Sequence, residues 1–99
     1  MDYTVLLHPE AEKEYLSSIL WYESRFLGLG DRFEEAVEKC IISITQHPFQ
    51  FAEKRKGYRE VSIKYFPFLI VYRIYQERKT IFIVSVFHTS RKPGRKYRK

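Results

Sequence analysis

Two apolar stripes at helical spacing, separated by one short glycine-containing break, constrain this chain more than any other feature. Ala11, Tyr15, Ile19, Tyr22 and Phe26 recur every three or four residues, and Leu16 and Leu20 widen the stripe. That period puts them on one face of a helix running from about residue 9 to 26. Pro9 suits the first helical position, where its missing N–H costs nothing. Glu10, Glu12 and Glu14 place negative charge at the positive end of the helix dipole. Phe33, Val37, Ile41 and Ile44 form a second stripe, with Ala36 and Cys40 beside it. In the break, Leu27-Gly-Leu-Gly30, Gly28 can take the left-handed conformation that ends a helix. Asp31 followed by Glu34 has the form of an N-cap and capping box. The second helix then stops near His47, ahead of Pro48. Helices joined by so short a connection lie antiparallel, as a hairpin.

The rest of the chain has the period of strands. Tyr3 to His8 is a short β-prone run before the first helix. Residues 48–57 have no period and read as a loop. From Tyr58 to Lys64 the residues alternate: Arg59, Val61 and Ile63 point one way, Tyr58, Glu60, Ser62 and Lys64 the other. Phe68 to Tyr75 and Thr80 to His88 are dense in β-branched and aromatic residues, with a polar turn at residues 76–79. The order β-α-α-β-β-β describes a two-layer α+β domain. Its last three strands form an antiparallel meander, the first strand joins an edge or lies beside the last, and the helical hairpin covers one face. The opposite face is expected to stay partly open. All 99 residues are read as one such domain, with a basic tail at about 91–99.

Charge is distributed unevenly. Residues 1–50 hold 4 basic and 9 acidic residues, net −5, whereas residues 51–99 hold 14 and 3, net +11. The tail from Arg91 to Lys99 contributes +6 with no acid. Such polarity suits a polyanion or an acidic protein. The tail either contacts an acidic surface or stays mobile. No run approaches the roughly 18 apolar residues of a membrane span. The opening Met-Asp-Tyr-Thr-Val is not a secretory signal. The single cysteine, Cys40, forms no internal disulfide, and with three scattered histidines it makes no closed zinc site. A cytoplasmic protein without metal or cofactor is expected.

The chemistry-bearing residues are few. Glycine-rich phosphate loops, paired-histidine metal motifs and Gly-x-Ser-x-Gly turns are all missing from the sequence. His8 and His47 sit at helix boundaries. His88 ends a strand just before the basic segment, where an imidazole could act as general acid or base, or simply be structural. Lys54, Arg55, Lys56 and Arg59 surround Tyr58, and cations interleaved with an aromatic suit RNA; a solvated loop is the plainer alternative. Arg59 shares a face with Val61 and Ile63, so it needs a carboxylate or carbonyl partner. Trp21 and Leu20 lie off the main stripe, widening the core or forming a contact patch.

The assembled motifs resemble those of the RelE/ParE toxin superfamily of bacterial type II toxin–antitoxin systems, in particular its ParE-like, plasmid stabilisation branch. The resemblance covers about residues 3–93. It is carried by Pro9 and Ala11, by Trp21-Tyr22-Glu23 followed by Leu27-Gly-Leu-Gly30 and Phe33, and by Pro48 after the second helix. Arg59-Glu-Val61, Phe66-Pro67-Phe68 through Tyr72, and Val86-Phe-His88 through Arg91 and Pro93 complete it. It implies a small basic toxin neutralised by an acidic antitoxin. ParE-like members poison DNA gyrase; RelE-like members cleave mRNA on the ribosome with basic residues. Where the nuclease branch carries arginines this chain has Leu69 and, near the end of the last strand, Thr89. Both losses remove cations that a phosphoryl transition state needs. Gyrase binding is therefore the expected mode. The alternatives are a ribosome-dependent mRNA endonuclease, with His88 as its catalytic group, and a degenerate toxin that only binds antitoxin. Target or nucleic-acid contacts are expected from Lys54, Arg55, Lys56, Arg59, Arg91, Lys92, Arg95 and Lys96.

Overall fold

The computed structural model describes residues 3–92 and 96–99. The elements are β1 (Thr4–Leu7), α1 (Pro9–Arg25), α2 (Leu29–Gln46), β2 (Glu53–Arg55), β3 (Tyr58–Ser62), β4 (Phe68–Tyr75), a short 3-10 turn (Gln76–Arg78) and β5 (Thr80–His88). They form the expected α+β fold, two helices and one sheet in the order β1-β5-β4-β3-β2. The sheet is not wholly antiparallel: β1 lies beside β5 and runs parallel to it, from Thr4 opposite Thr80 to Leu7 opposite Ile83. Backbone bonds from Thr4 N to Lys79 O and from His8 N to Ile83 O, both 2.8 Å, close the pair.

Local chemistry explains the helix limits. His8 caps α1, its Nδ1 accepting from Glu10 N at 3.0 Å, which satisfies one of the helix's free amides. The start of α2 differs from the expectation. Asp31 is not its N-cap; Gly28 is, at φ 90°, and Asp31 falls in the first turn. The side chain serving the first amides belongs to α1: the Glu23 carboxylate accepts from Gly28 N and Gly30 N, each at 2.9 Å. Gly30 is needed because the helices approach closely there. A Cβ on it would lie 2.7 Å from Ile19 O.

The stripe of α1 is narrower than its sequence suggests. Ala11 is fully buried and Tyr15, Ile19 and Tyr22 pack against the core, but Leu16, Leu20 and Phe26 are 53, 70 and 70 % exposed. The sheet and α2 cover only part of the helix circumference, and these three side chains lie on the uncovered remainder. Phe33 of α2 is the centre of an aromatic cluster, with ring centroids 5.1 Å from Tyr22, 5.2 Å from Phe66 and 4.9 Å from Phe68. Tyr72, also buried, donates to Pro48 O at 2.6 Å, tying β4 to the end of α2.

Two further corrections concern the second half. The expected loop at 48–57 contains β2, paired with β3 around Gly57 at φ 82°. Its Glu53-Lys-Arg55 sequence is exposed throughout, so it lacks the apolar alternation by which a strand is recognised. The sheet face opposite the helices is not open but carries a second core of Tyr58, Val71 and Val84, covered by Phe82 and Tyr97. A bulge in β5 helps build it. Val71 pairs with Ser85 and Tyr72 with Ile83, leaving Val84 as the extra residue. Bulges of this kind re-aim the strand edge. Past the end of β1, Val84 O accepts from Arg98 at 3.0 Å and Val86 N donates to Glu14 at 3.0 Å.

Residues 96–98 of the basic tail fold back onto acidic groups of the chain itself. Arg98 makes a bidentate pair with Glu14 at 2.9 and 2.7 Å. Lys96 lies 3.2 Å from Glu60, and the Tyr97 hydroxyl donates to the same carboxylate. Tyr58 OH donates to Arg98 O, and Ser85 Oγ to Lys96 O, each at 3.1 Å. Burial, then the hydrogen bond to Glu60, pushes the Tyr97 hydroxyl up to about 12.

Candidate functional site

The residues singled out in the sequence fall in separate places. Lys54, Arg55 and Lys56 lie on β2 and its turn, all exposed. The Arg55 guanidinium stands 4.7 Å from the ring centroid of Tyr97, so it helps hold the tail. Tyr58 is only 6 % exposed. Tyr97 packs on it edge-on and Arg73 covers it at 4.7 Å, which leaves no face for a nucleobase. Arg59 donates to Phe51 O at 2.7 Å and Phe49 O at 3.4 Å, with Glu53 at 3.7 Å. It has found the carbonyls and carboxylate its apolar surroundings require. Lys96 is engaged by Glu60. Arg91 and Lys92 are exposed and pair with no carboxylate among the described residues. Arg95 lies outside the described residues.

His88 and the cation cluster lie at opposite ends of the sheet. His88 pairs with Phe68 and packs edge-on against it at 5.0 Å, on the face that meets the helices. Tyr58, next to the cation turn, stacks under Arg73 on the opposite face. Phe68 to Arg73 is five residues of β4, roughly 16 Å at the rise of a strand. His88 Nδ1 accepts from Ser90 N at 3.1 Å and faces Ser90 Oγ at 2.7 Å. An Nδ1 that accepts an amide N–H assigns the ring hydrogen of the neutral imidazole to Nε2.

Two concavities flank the helical hairpin. A groove of about 950 Å³ runs between α2 and β3. Phe51, Val61 and Phe66 are among its apolar lining, and Arg32, Lys39 and Lys64 outnumber Glu35 among its charges. Cys40 also lines it, but burial pushes the thiol up to about 11, so it stays protonated at neutral pH and is no nucleophile. On the α1 side a cleft of about 350 Å³ lies between Ser17, Ser18, Trp21 and Tyr22 and the strand end at Phe68, His88, Ser90 and Arg91. Trp21, 52 % exposed, is a surface residue rather than a core one. Sequence reading missed the three groove cations, scattered over α2 and the turn after β3, and missed Glu14 and Glu60 as anchors of the tail. Among the described residues no group of three or more His, Cys, Asp or Glu could hold a metal ion, and no helix is long and apolar enough to cross a membrane.

The fold recurs in solved toxin structures. It is similar to a chain of the chromosomal ParDE toxin–antitoxin system of P. aeruginosa, at 17% identity and TM-score 0.63 over 87% of this chain and 95% of that one. The free state of an E. coli RelE mutant gives 18% and 0.66 over 88% and 83%. A chain of the intact E. coli RelBE complex gives 20% and 0.64 over 90% and 99%. At these identities the shared property is the fold. No curated protein sequence matches the chain significantly. Residues 5–93 match the family described as ParE toxin of type II toxin–antitoxin system, parDE. That span runs from β1 through the helical hairpin and the meander past His88, so the chain belongs to the ParE toxin family of type II toxin–antitoxin systems.

Proposed function

We propose that this toxin acts by binding a protein target, DNA gyrase, rather than by cutting RNA, and that an acidic antitoxin neutralises it along the α2–β3 groove. The observation carrying the first part is the separation of His88 from Lys54 and Lys56. A general acid–base group and the cations that stabilise phosphate charge must converge within hydrogen-bond reach of one phosphodiester. Here they lie at opposite ends of the sheet: His88 pairs with Phe68 of β4, whereas Arg59, opposite Glu53 of β2, pairs with Tyr72 four residues further along. Leu69 adds no cation; it is half-buried and pairs with Phe87 and Ser62. For the antitoxin, an apolar floor rimmed by Arg32, Lys39 and Lys64 suits an acidic amphipathic segment laid into a groove. Complexes named for the relatives, such as RelBE of E. coli, pair the toxin with an antitoxin.

The test is to express the chain and, in the same cells, map mRNA ends and gyrase-dependent DNA breaks. Breaks that vanish in a gyrase-resistant host, without new mRNA ends, are expected. mRNA cleavage by the purified chain, abolished by His88→Ala, would overturn the proposal in favour of the nuclease reading. Growth arrest with neither signature would point to another protein target.

A further inference from the structure

We infer that the outward face of the helical hairpin, away from the sheet, is a docking surface for a cationic amphipathic protein segment. Ile19 and Glu23 mark the side of α1 that meets α2: a Cβ on Gly30 would lie 2.7 Å from Ile19 O, and Glu23 accepts from Gly28 N and Gly30 N. At about 3.6 residues per turn, Leu16 and Leu20 stand roughly 60–100° further round from Ile19, on the solvent side. Both are more than half exposed, and the hairpin turn adds Leu27, 88 % exposed. On α2, Glu34 and Glu38 stand about one and two turns past Gly30, turned away from the buried Phe33 and Val37. Burial first, then these two carboxylates, push the Tyr15 hydroxyl up to about 12, which places both acids beside α1. Leucines and carboxylates therefore share one outward surface.

The charge of this surface is one-sided. Asp31, Glu34, Glu35 and Glu38 line a concavity of about 380 Å³ on α2, with Arg32 as the one cation lining it. None of the four acids is in an ion pair among the described residues, and Lys13 of α1 is taken by Glu10 at 3.5 Å. Unpaired carboxylates beside exposed leucines complement a segment that carries Lys or Arg next to apolar side chains. They repel a phosphate backbone, an anionic lipid surface and an acidic antitoxin alike. The α2–β3 groove, where Arg32, Lys39 and Lys64 outnumber Glu35, has the opposite sign, so the two surfaces take different partners. The hairpin face has this chemistry whichever target the toxin has.

The probe is a fluorescein-labelled peptide of two Leu-Lys-Lys-Leu-Leu-Lys-Ala repeats. One control peptide replaces every Lys by Glu, another every Leu by Ser. Fluorescence anisotropy gives the affinity, and the amide spectrum of the isotope-labelled chain gives the place of binding. The cationic amphipathic peptide should bind roughly tenfold tighter than either control. Its affinity should fall between about 50 and about 300 mM salt, and the amides it shifts should be those of α1 and the first half of α2. Leu20→Ser should weaken it by about tenfold. Glu34→Gln combined with Glu38→Gln should weaken it by about fivefold. Leu20 and Glu38 are exposed and Glu34 partly so, and the two variants carry the test independently of each other. The proposal is overturned if either control binds as well as the probe, or if affinity is unchanged in both variants. Amide shifts confined to the sheet or the α2–β3 groove also overturn it. Shifts that appear without peptide as the chain is concentrated would assign the face to a second copy instead.

Discussion

Arg98→Ala should destabilise this fold more than any other single change to a charged side chain near the chain's end. The guanidinium is bidentate to Glu14 and also donates to Val84 O. Glu14 in turn accepts from Val86 N. The side chains are 20 and 12 % exposed, so neither group is free to rehydrate fully once its partner is gone. Breaking a buried pair costs about 3–5 kcal/mol; the residual exposure brings the expectation down to about 2–4 kcal/mol. The loss includes the unpaired carbonyl of Val84 at the bulge and a looser Tyr97 over Tyr58. For a domain of this length each kcal/mol lowers Tm by about 4–8 °C, so a fall of roughly 8–30 °C is expected by circular dichroism. A double-mutant cycle of Glu14→Ala with Arg98→Ala isolates the pair and should return a coupling of about 2 kcal/mol. A Tm within about 3 °C of wild type, or a coupling below about 0.5 kcal/mol, would show that the tail does not clasp the sheet edge. The same clasp means that truncating the chain after Ser90 lowers stability as well as charge, so loss of toxicity on truncation would not by itself locate a target contact.

Gly30→Ala should cost about 1–3 kcal/mol, measured by urea unfolding, because its Cβ would meet Ile19 O at 2.7 Å and the capping Glu23 Oε1 at 2.9 Å; a neutral effect would refute the close approach of the helices. Alkaline pH should unfold the chain. The hydroxyls of Tyr15, Tyr72 and Tyr97 are each pushed from 10.0 up to about 12, with burial as the first cause. The unfolded chain loses these protons near pH 10 while the folded chain keeps them, so their contribution is full below about pH 10 and is lost between about pH 10 and 12. Tyrosinate absorbance should therefore rise together with loss of structure, and a gradual, uncoupled rise would count against it. Association with an acidic antitoxin should slow as salt rises; Lys64→Glu at the groove rim should slow it further at low salt, and stopped-flow rates indifferent to both would remove the groove from the reading.

Much of this architecture is legible without coordinates, because it rests on local periods. The helix faces, the stop at Pro48, the left-handed Gly28 and the two long strands each depend on residues a few positions apart. Arg59 is legible too: an arginine on an apolar strand face had to find oxygen partners, and it found Phe51 O and Phe49 O. Charge totals were less informative. The tail reads as six free cations, yet Lys96 and Arg98 are spent within the chain. Asp31 has the local signature of a cap, but Glu23 reaches the same amides from the neighbouring helix. β2 has no apolar period to betray it. His88 and Lys54 look like neighbours in chemistry, and only strand order and register put them at opposite ends of the sheet. The dividing line is physical. Backbone propensity and side-chain period act over a turn of helix or a few strand residues, and sequence records them. Long-range ion pairs such as Glu14 with Arg98, 84 residues apart, leave no local pattern, because their partners are selected only when the packed sheet brings them within hydrogen-bond distance.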